Sequence, residues 1–126
     1  MKKFIPIVLT ALLLCGCGAK EAKETAYMNI TAAEAKKLMD THQDYVILDV
    51  RTQEEFDEKH IPGAVLIPDY EITQKAETVL QNKEQLILVY CRSGRRSKLA
   101  AQELEKLGYT NIKEFGGIID WPYEVE

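Results

Sequence analysis

Two stretches of the chain are almost continuously apolar, YVILDV (45–50) and LILVY (86–90), and polar segments flank each. Runs of this length suit strands covered on both faces, where neither side of the pleat meets water. Elsewhere the apolar positions recur at helical spacing. Thr31 and Glu34 form a T-x-x-E capping pattern, and Ala35, Leu38 and Met39 follow it, which predicts a helix over 31–41. Thr52 and Glu55 repeat the pattern before Phe56, enough for one or two helical turns. Ile72, Ala76, Val79 and Leu80 mark a third helix. From Ser97 onward Leu99, Ala100, Leu104 and Leu107 make the stripe of a fourth, which Gly108 stops. The shorter runs AVLIP (64–68) and IKEF (112–115) complete the strands. Strands alternating with helices predict an α/β domain, a central parallel sheet with helices on both faces.

The first residues follow another pattern. MKKFIPIVLTALLLCGC has two lysines, an apolar-rich run from Phe4 to Leu14, and then small and sulfur-bearing residues. That is the layout of a secretory signal peptide, and the run is shorter than the roughly 18–20 residues of a spanning helix. Leu14-Cys15-Gly16-Cys17 resembles the lipobox of bacterial lipoproteins, in which cleavage precedes a cysteine that carries lipid, palmitate included. Cys17 fits that position because Gly16 precedes it and Leu14 stands three before it; Cys15 would put Leu14 in the small-residue site. GAKEAKETAY, small and charged without periodicity, suits a flexible tether. The expected organisation is therefore a signal peptide over 1–16, a lipid-anchored tether over 17–27 and one domain over 28–126. The protein is expected on the extracytoplasmic face of a cell membrane, held by its lipid.

Composition narrows the function. A length of 126 residues with 46% apolar content suits one compact domain and is short for two. Cleavage before Cys17 would remove Lys2 and Lys3 and no acid, leaving 14 basic against 20 acidic residues. A net charge of about −6 argues against a nucleic-acid binder, which needs a basic surface to displace counterions. With Cys15 discarded and Cys17 lipidated, Cys91 would be a lone thiol with no disulfide partner, either buried and inert or kept for chemistry.

Around that thiol the acidic chain concentrates its positive charge, in YCRSGRRS (90–97). The stretch follows the carboxyl end of a buried strand and opens a helix, where open parallel sheets bind ligands. A helix N-terminus offers unpaired N–H groups and the positive end of the macrodipole, and Gly94 lets the preceding loop curl until its amides converge. Arg92, Arg95 and Arg96 add permanent charge, while Ser93 and Ser97 offer hydroxyls, Ser97 also as a helix cap. Arginines at a helix start oppose the macrodipole unless an anion offsets them. The expectation is a cradle for a small anion with Cys91 at its floor. The same field favours the thiolate over a thiol that ordinarily ionises near pKa ~8.5. Phosphate, arsenate and thiosulfate all satisfy these electrostatics.

From Met28 to Trp121 the sequence resembles a single-domain rhodanese, through LDVRTQEEFDEKHIPGAVLIP (48–68), VYCRSGRRSKLAAQELEKLGY (89–109) and GGIIDW (116–121) in that order. The resemblance implies a rhodanese-like α/β fold and sulfurtransferase chemistry of the thiosulfate:cyanide type. Cys91 would take the outer sulfur of a thiosulfate-like donor, become a persulfide, and pass that sulfur to a thiol or other thiophilic acceptor, a protein acceptor included. Arg92, Ser93, Gly94, Arg95 and Arg96 would bind substrate, with no metal or organic cofactor. The alternative is a non-enzymatic persulfide carrier or redox relay. Phosphatase and arsenate-reductase chemistry is disfavoured, because related phosphatases place an arginine six positions after the cysteine and here that position is Ser97. Asp49 and Arg51 match the family's D-x-R and are expected to pair and buttress the loop. His60 falls in the HIPGA turn and is expected to be structural, His42 to lie in a loop, and Trp121 to sit in the core or at the pocket rim.

Overall fold

The computed structural model describes residues 27–126. The expected signal segment, Cys17 and the tether up to Ala26 lie outside the described residues. Tyr27, placed with the tether by the sequence, belongs instead to the first strand. The elements run β1 (Tyr27–Asn29), α1 (Ala32–Thr41), β2 (Tyr45–Asp49), α2 (Gln53–Glu58), β3 (Val65–Leu66), α3 (Ile72–Val79), β4 (Leu86–Cys91), α4 (Arg95–Lys106) and β5 (Ile112–Gly117). Both predicted capping boxes form. The Thr31 and Thr52 hydroxyls accept the amides of Glu34 and Glu55, whose carboxylates accept the threonine amides in return.

The sheet has five strands in the order β1-β5-β4-β2-β3, every pair parallel. β4 lies at its centre and is buried along its whole length. Its side chains alternate between two cores. Ile87, Val89 and Cys91 join Ala76, Ala100 and Leu104 of α3 and α4 on one face, while Leu88 and Tyr90 pack with Ala35, Phe115 and Trp121 on the face that α1 covers. Helices thus lie on both faces, as the unbroken apolar runs require. Trp121 sits in the second core. Among the described residues no helix is long and apolar enough to cross a membrane.

Three local expectations need correction. α4 begins at Arg95, and its N-cap is Gly94, not Ser97. Gly94 has φ +107°, a left-handed turn that a side chain at the cap would strain. Leu99 and Val79, assigned to apolar stripes, are exposed. Ser97, Ala100, Ala101 and Leu104 face the sheet instead, an i, i+3, i+4, i+7 set of mostly small residues that lets α4 approach the strands closely. The last strand also runs two residues past Phe115, through Gly116 and Gly117.

Candidate active site

Cys91 is the last residue of β4, and its only local continuation is the loop that turns into α4. The loop closes on the sulfur: the Gly94 amide donates to Cys91 Sγ at 3.0 Å. The left-handed turn at Gly94 is what brings that amide round, and it sits at the positive end of the α4 dipole. Cys91 is 1% exposed, packs in the core that α3 and α4 cover, and has no disulfide partner among the described residues.

Behind the loop stand two glycines of β5. A Cβ on Gly117 would lie 2.0 Å from the Arg92 carbonyl oxygen and 2.5 Å from Ser93 Cα, so backbone packs directly on backbone. Register is interrupted at this point, where Cys91 aligns with Gly117 after a shift in the β4–β5 ladder. The Ile119 amide donates to the Arg92 carbonyl at 3.2 Å and ties the following turn to the same wall.

The three arginines play different parts. Arg92 and Arg95 are exposed, as is Ser93. Arg96 is half-buried and forms a two-pronged pair with Glu55 of α2, Nη1 to Oε1 at 2.8 Å and Nη2 to Oε2 at 3.0 Å. That hydrogen-bonded guanidinium, with Thr52 adding to it against burial, holds the Glu55 carboxyl down to about 2. In turn Glu55 stabilises the Arg96 charge, with a smaller contribution from Cys91. The cluster of positive charge inferred from the sequence is therefore partly neutralised, with two arginines left at the rim.

Asp49 and Arg51 lie at the end of β2, beside β4, and pair through Arg51 Nη2 and Asp49 Oδ2 at 2.7 Å and through Arg51 Nε. Both are buried, so the pair depends on further bonds to offset its desolvation. Arg51 Nη2 also donates to the Lys59 carbonyl, and the Tyr90 hydroxyl donates to Asp49 Oδ2 while accepting the Ile61 amide. Burial, with the Asp49 contact, pushes the Tyr90 phenol up. The network joins β2, β4 and the HIPGA turn to one another. His60 is engaged locally, its Nδ1 at 2.9 Å from the Phe56 carbonyl, its ring stacked on Phe56 and its backbone paired with Glu126. His42 caps the end of α1.

The sequence marked Glu55 only as a helix cap and Gly117 only within GGIIDW, and gave Glu114 no role; their contacts with Arg96, Arg92 and Ser97 were not anticipated. Glu114 lies fully buried under α4 and takes hydrogen bonds from Ser97 and the Gly116 amide. The one available signal was a charged residue within a short strand run, IKEF. Among the described residues no group of three or more His, Cys, Asp or Glu is arranged to hold a metal ion.

A family model described as rhodanese-like domain matches residues 31–122. The putative sulfur carrier protein YrkF of Bacillus subtilis (strain 168) is 36% identical over 112 residues, which cover 86% of this chain and 60% of YrkF. This chain thus spans under two thirds of that relative. Thiosulfate sulfurtransferase PspE of Escherichia coli (strain K12) is 36% identical over 73 residues, 58% of this chain and 70% of PspE. A solved structure described as rhodanese with anions from E. coli aligns with a TM-score of 0.62 at 32% identity, covering 65% of this chain and 96% of the other. With the loop, the sheet and the match over 31–122 in agreement, the chain belongs to the rhodanese-like domain family, whose members here include sulfurtransferases.

Proposed function

We propose that the protein is a sulfurtransferase that moves sulfane sulfur from thiosulfate or a similar small anion to a thiophilic acceptor through a persulfide on Cys91. The observation that carries this is the loop Cys91–Arg96, whose Gly94 amide points at the sulfur from the start of α4. In the first half-reaction the Cys91 thiolate attacks the outer sulfur of thiosulfate. A Cys91 S–S bond forms, the donor's S–S bond breaks, and sulfite leaves with its electron pair. The product is an anionic persulfide, so amides that stabilise the thiolate stabilise the product as well. In the second half-reaction cyanide or an acceptor thiolate attacks the outer sulfur, and the Cys91 thiolate is released. Arg92 and Arg95 at the rim attract the dianion, and the enclosure of Cys91 favours a slim donor over a bulky one.

The loop length supports sulfur over phosphorus. Ser97 stands where a phosphate-clamping arginine would be needed, and its hydroxyl turns inward to Glu114. Incubation with thiosulfate and cyanide is expected to yield thiocyanate, and thiosulfate alone is expected to add one sulfur atom to the intact mass. A Cys91→Ser variant that still makes thiocyanate would refute the assignment. The name of YrkF favours a second reading, a persulfide carrier for a protein acceptor. Under it the sulfur adduct forms and persists, with negligible turnover on cyanide. The lipobox-like Cys17 belongs to the same proposal: an acylated Cys17 would hold the domain on the extracytoplasmic side of a membrane, and mass analysis of the N-terminal peptide from native membranes tests it.

A further inference from the structure

Among the described residues Glu114 is the one buried carboxylate that the sulfur chemistry above leaves without a role, and it stands at the junction of three elements. It lies on β5 at 1% exposure. Its Oε2 accepts the Ser97 hydroxyl at 2.5 Å and the Gly116 amide at 2.8 Å, and its Oε1 accepts Asn29 Nδ2 of β1. Lys98 Nζ, half-exposed, is 3.8 Å away. Ser97 has a single hydroxyl proton and three acceptors within reach: Glu114 Oε2, the Gly94 carbonyl at 3.1 Å and the Gly116 carbonyl at 3.4 Å. The shortest of the three is the carboxylate, so the proton belongs there.

One carboxylate oxygen thus fastens the first turn of α4 to the Gly116–Gly117 wall. The loop that carries Cys91 is caught between those two. Gly94, whose amide meets the sulfur, starts the helix that Ser97 anchors, and Gly117 abuts the Arg92 carbonyl from the wall side. A negative charge behind an anion site works against anion binding, so electrostatics gives no reason for Glu114. Its geometry does. We propose that Glu114, acting through Ser97 and the Gly116 amide, is a positioning residue that sets the placement of the Gly94 amide against Cys91 Sγ. This deepens the sulfurtransferase proposal and rests on it.

The test uses the described domain within the full chain as Glu114→Gln, Ser97→Ala and the double variant. Gln retains the volume but replaces one acceptor oxygen with a donor. The second-order rate of sulfur loading on Cys91 from thiosulfate, measured per folded molecule, is expected to fall about tenfold or more in each single variant, since small misplacements are costly. The double variant is expected to lose little beyond that, because both substitutions cut the same link. The backbone amide resonance of Gly94 is expected to shift in the same direction in both single variants. Loading at the wild-type rate in Ser97→Ala, additive losses, or an unmoved Gly94 resonance would overturn the proposal, and the first and last of these hold even if Glu114→Gln fails to fold. Absence of loading in the wild type would instead defeat the sulfurtransferase assignment. The Gly94 resonance and the alkylation rate of Cys91 by iodoacetamide would then still decide the role of Glu114, with unchanged values counting against it.

Discussion

Gly117→Ala tests how closely the wall must fit the loop. Gly117 has φ −129° and ψ 155°, an extended conformation open to any residue, so its backbone angles do not call for glycine. What calls for it is proximity. The new methyl carbon would lie 2.0 Å from the Arg92 oxygen, 2.4 Å from the Arg92 carbonyl carbon and 2.5 Å from Ser93 Cα. All three neighbours are backbone atoms and cannot rotate aside, so the loop must retreat by about 1 Å, the order of displacement that can cost about 100-fold in rate. The retreat also stretches the Ile119 to Arg92 hydrogen bond. Overpacking of this kind costs about 1–3 kcal/mol, which in a domain near 100 residues lowers Tm by roughly 5–15 °C. Loading of Cys91 from thiosulfate, followed by quenched-flow intact mass, is expected to slow about 100-fold, with Tm from circular dichroism recorded alongside. Gly63→Ala is the control, because Gly63 has φ +84° but nothing within 4 Å of its added methyl. It is expected to lose about 1 kcal/mol of stability and keep its loading rate. Gly117→Ala loading sulfur as fast as Gly63→Ala would refute the reasoning.

Two further outcomes concern the supports. The Glu55 carboxyl, pushed down to about 2 from the usual 4.5, contributes stability that is fully present above about pH 4.5 and is lost as the pH falls toward 2. Glu55→Gln is expected to flatten that part of a urea-midpoint against pH profile, and an unchanged slope would show the Arg96 pair to be without effect. Tyr90→Phe removes the hydroxyl between Asp49 and the Ile61 amide, leaving buried polar groups short of a partner. It is expected to cost about 1–3 kcal/mol by chemical denaturation, and a change below a few tenths would remove the buttress from the account.

Much of the architecture could be read from local patterns. The apolar runs over 45–50 and 86–90 are buried strands because both faces of a central strand must be apolar, and the two T-x-x-E boxes start helices because each closes its own bonds within four residues. The loop at Cys91 was equally visible, since a thiol, a glycine and arginines between a strand and a helix carry their chemistry in adjacent positions. The helix stripes were less certain guides. Leu99 fits an apolar periodicity yet faces water, because the rotation of α4 about its axis is decided by Ser97, Ala100, Ala101 and Leu104 against the sheet.

By itself, then, the amino-acid order determined the α/β class, the strands and helices in their succession, and the loop that carries Cys91, Gly94 and the arginines from β4 into α4, all properties of neighbouring residues. Tertiary structure alone decided what surrounds that loop. Glu55 reaches Arg96 across 41 positions and Glu114 reaches Ser97 across 17, while Gly117 meets Arg92 only because β5 pairs beside β4. The physical reason is the strand order β1-β5-β4-β2-β3, which brings distant segments to one end of the sheet and which no local spacing encodes.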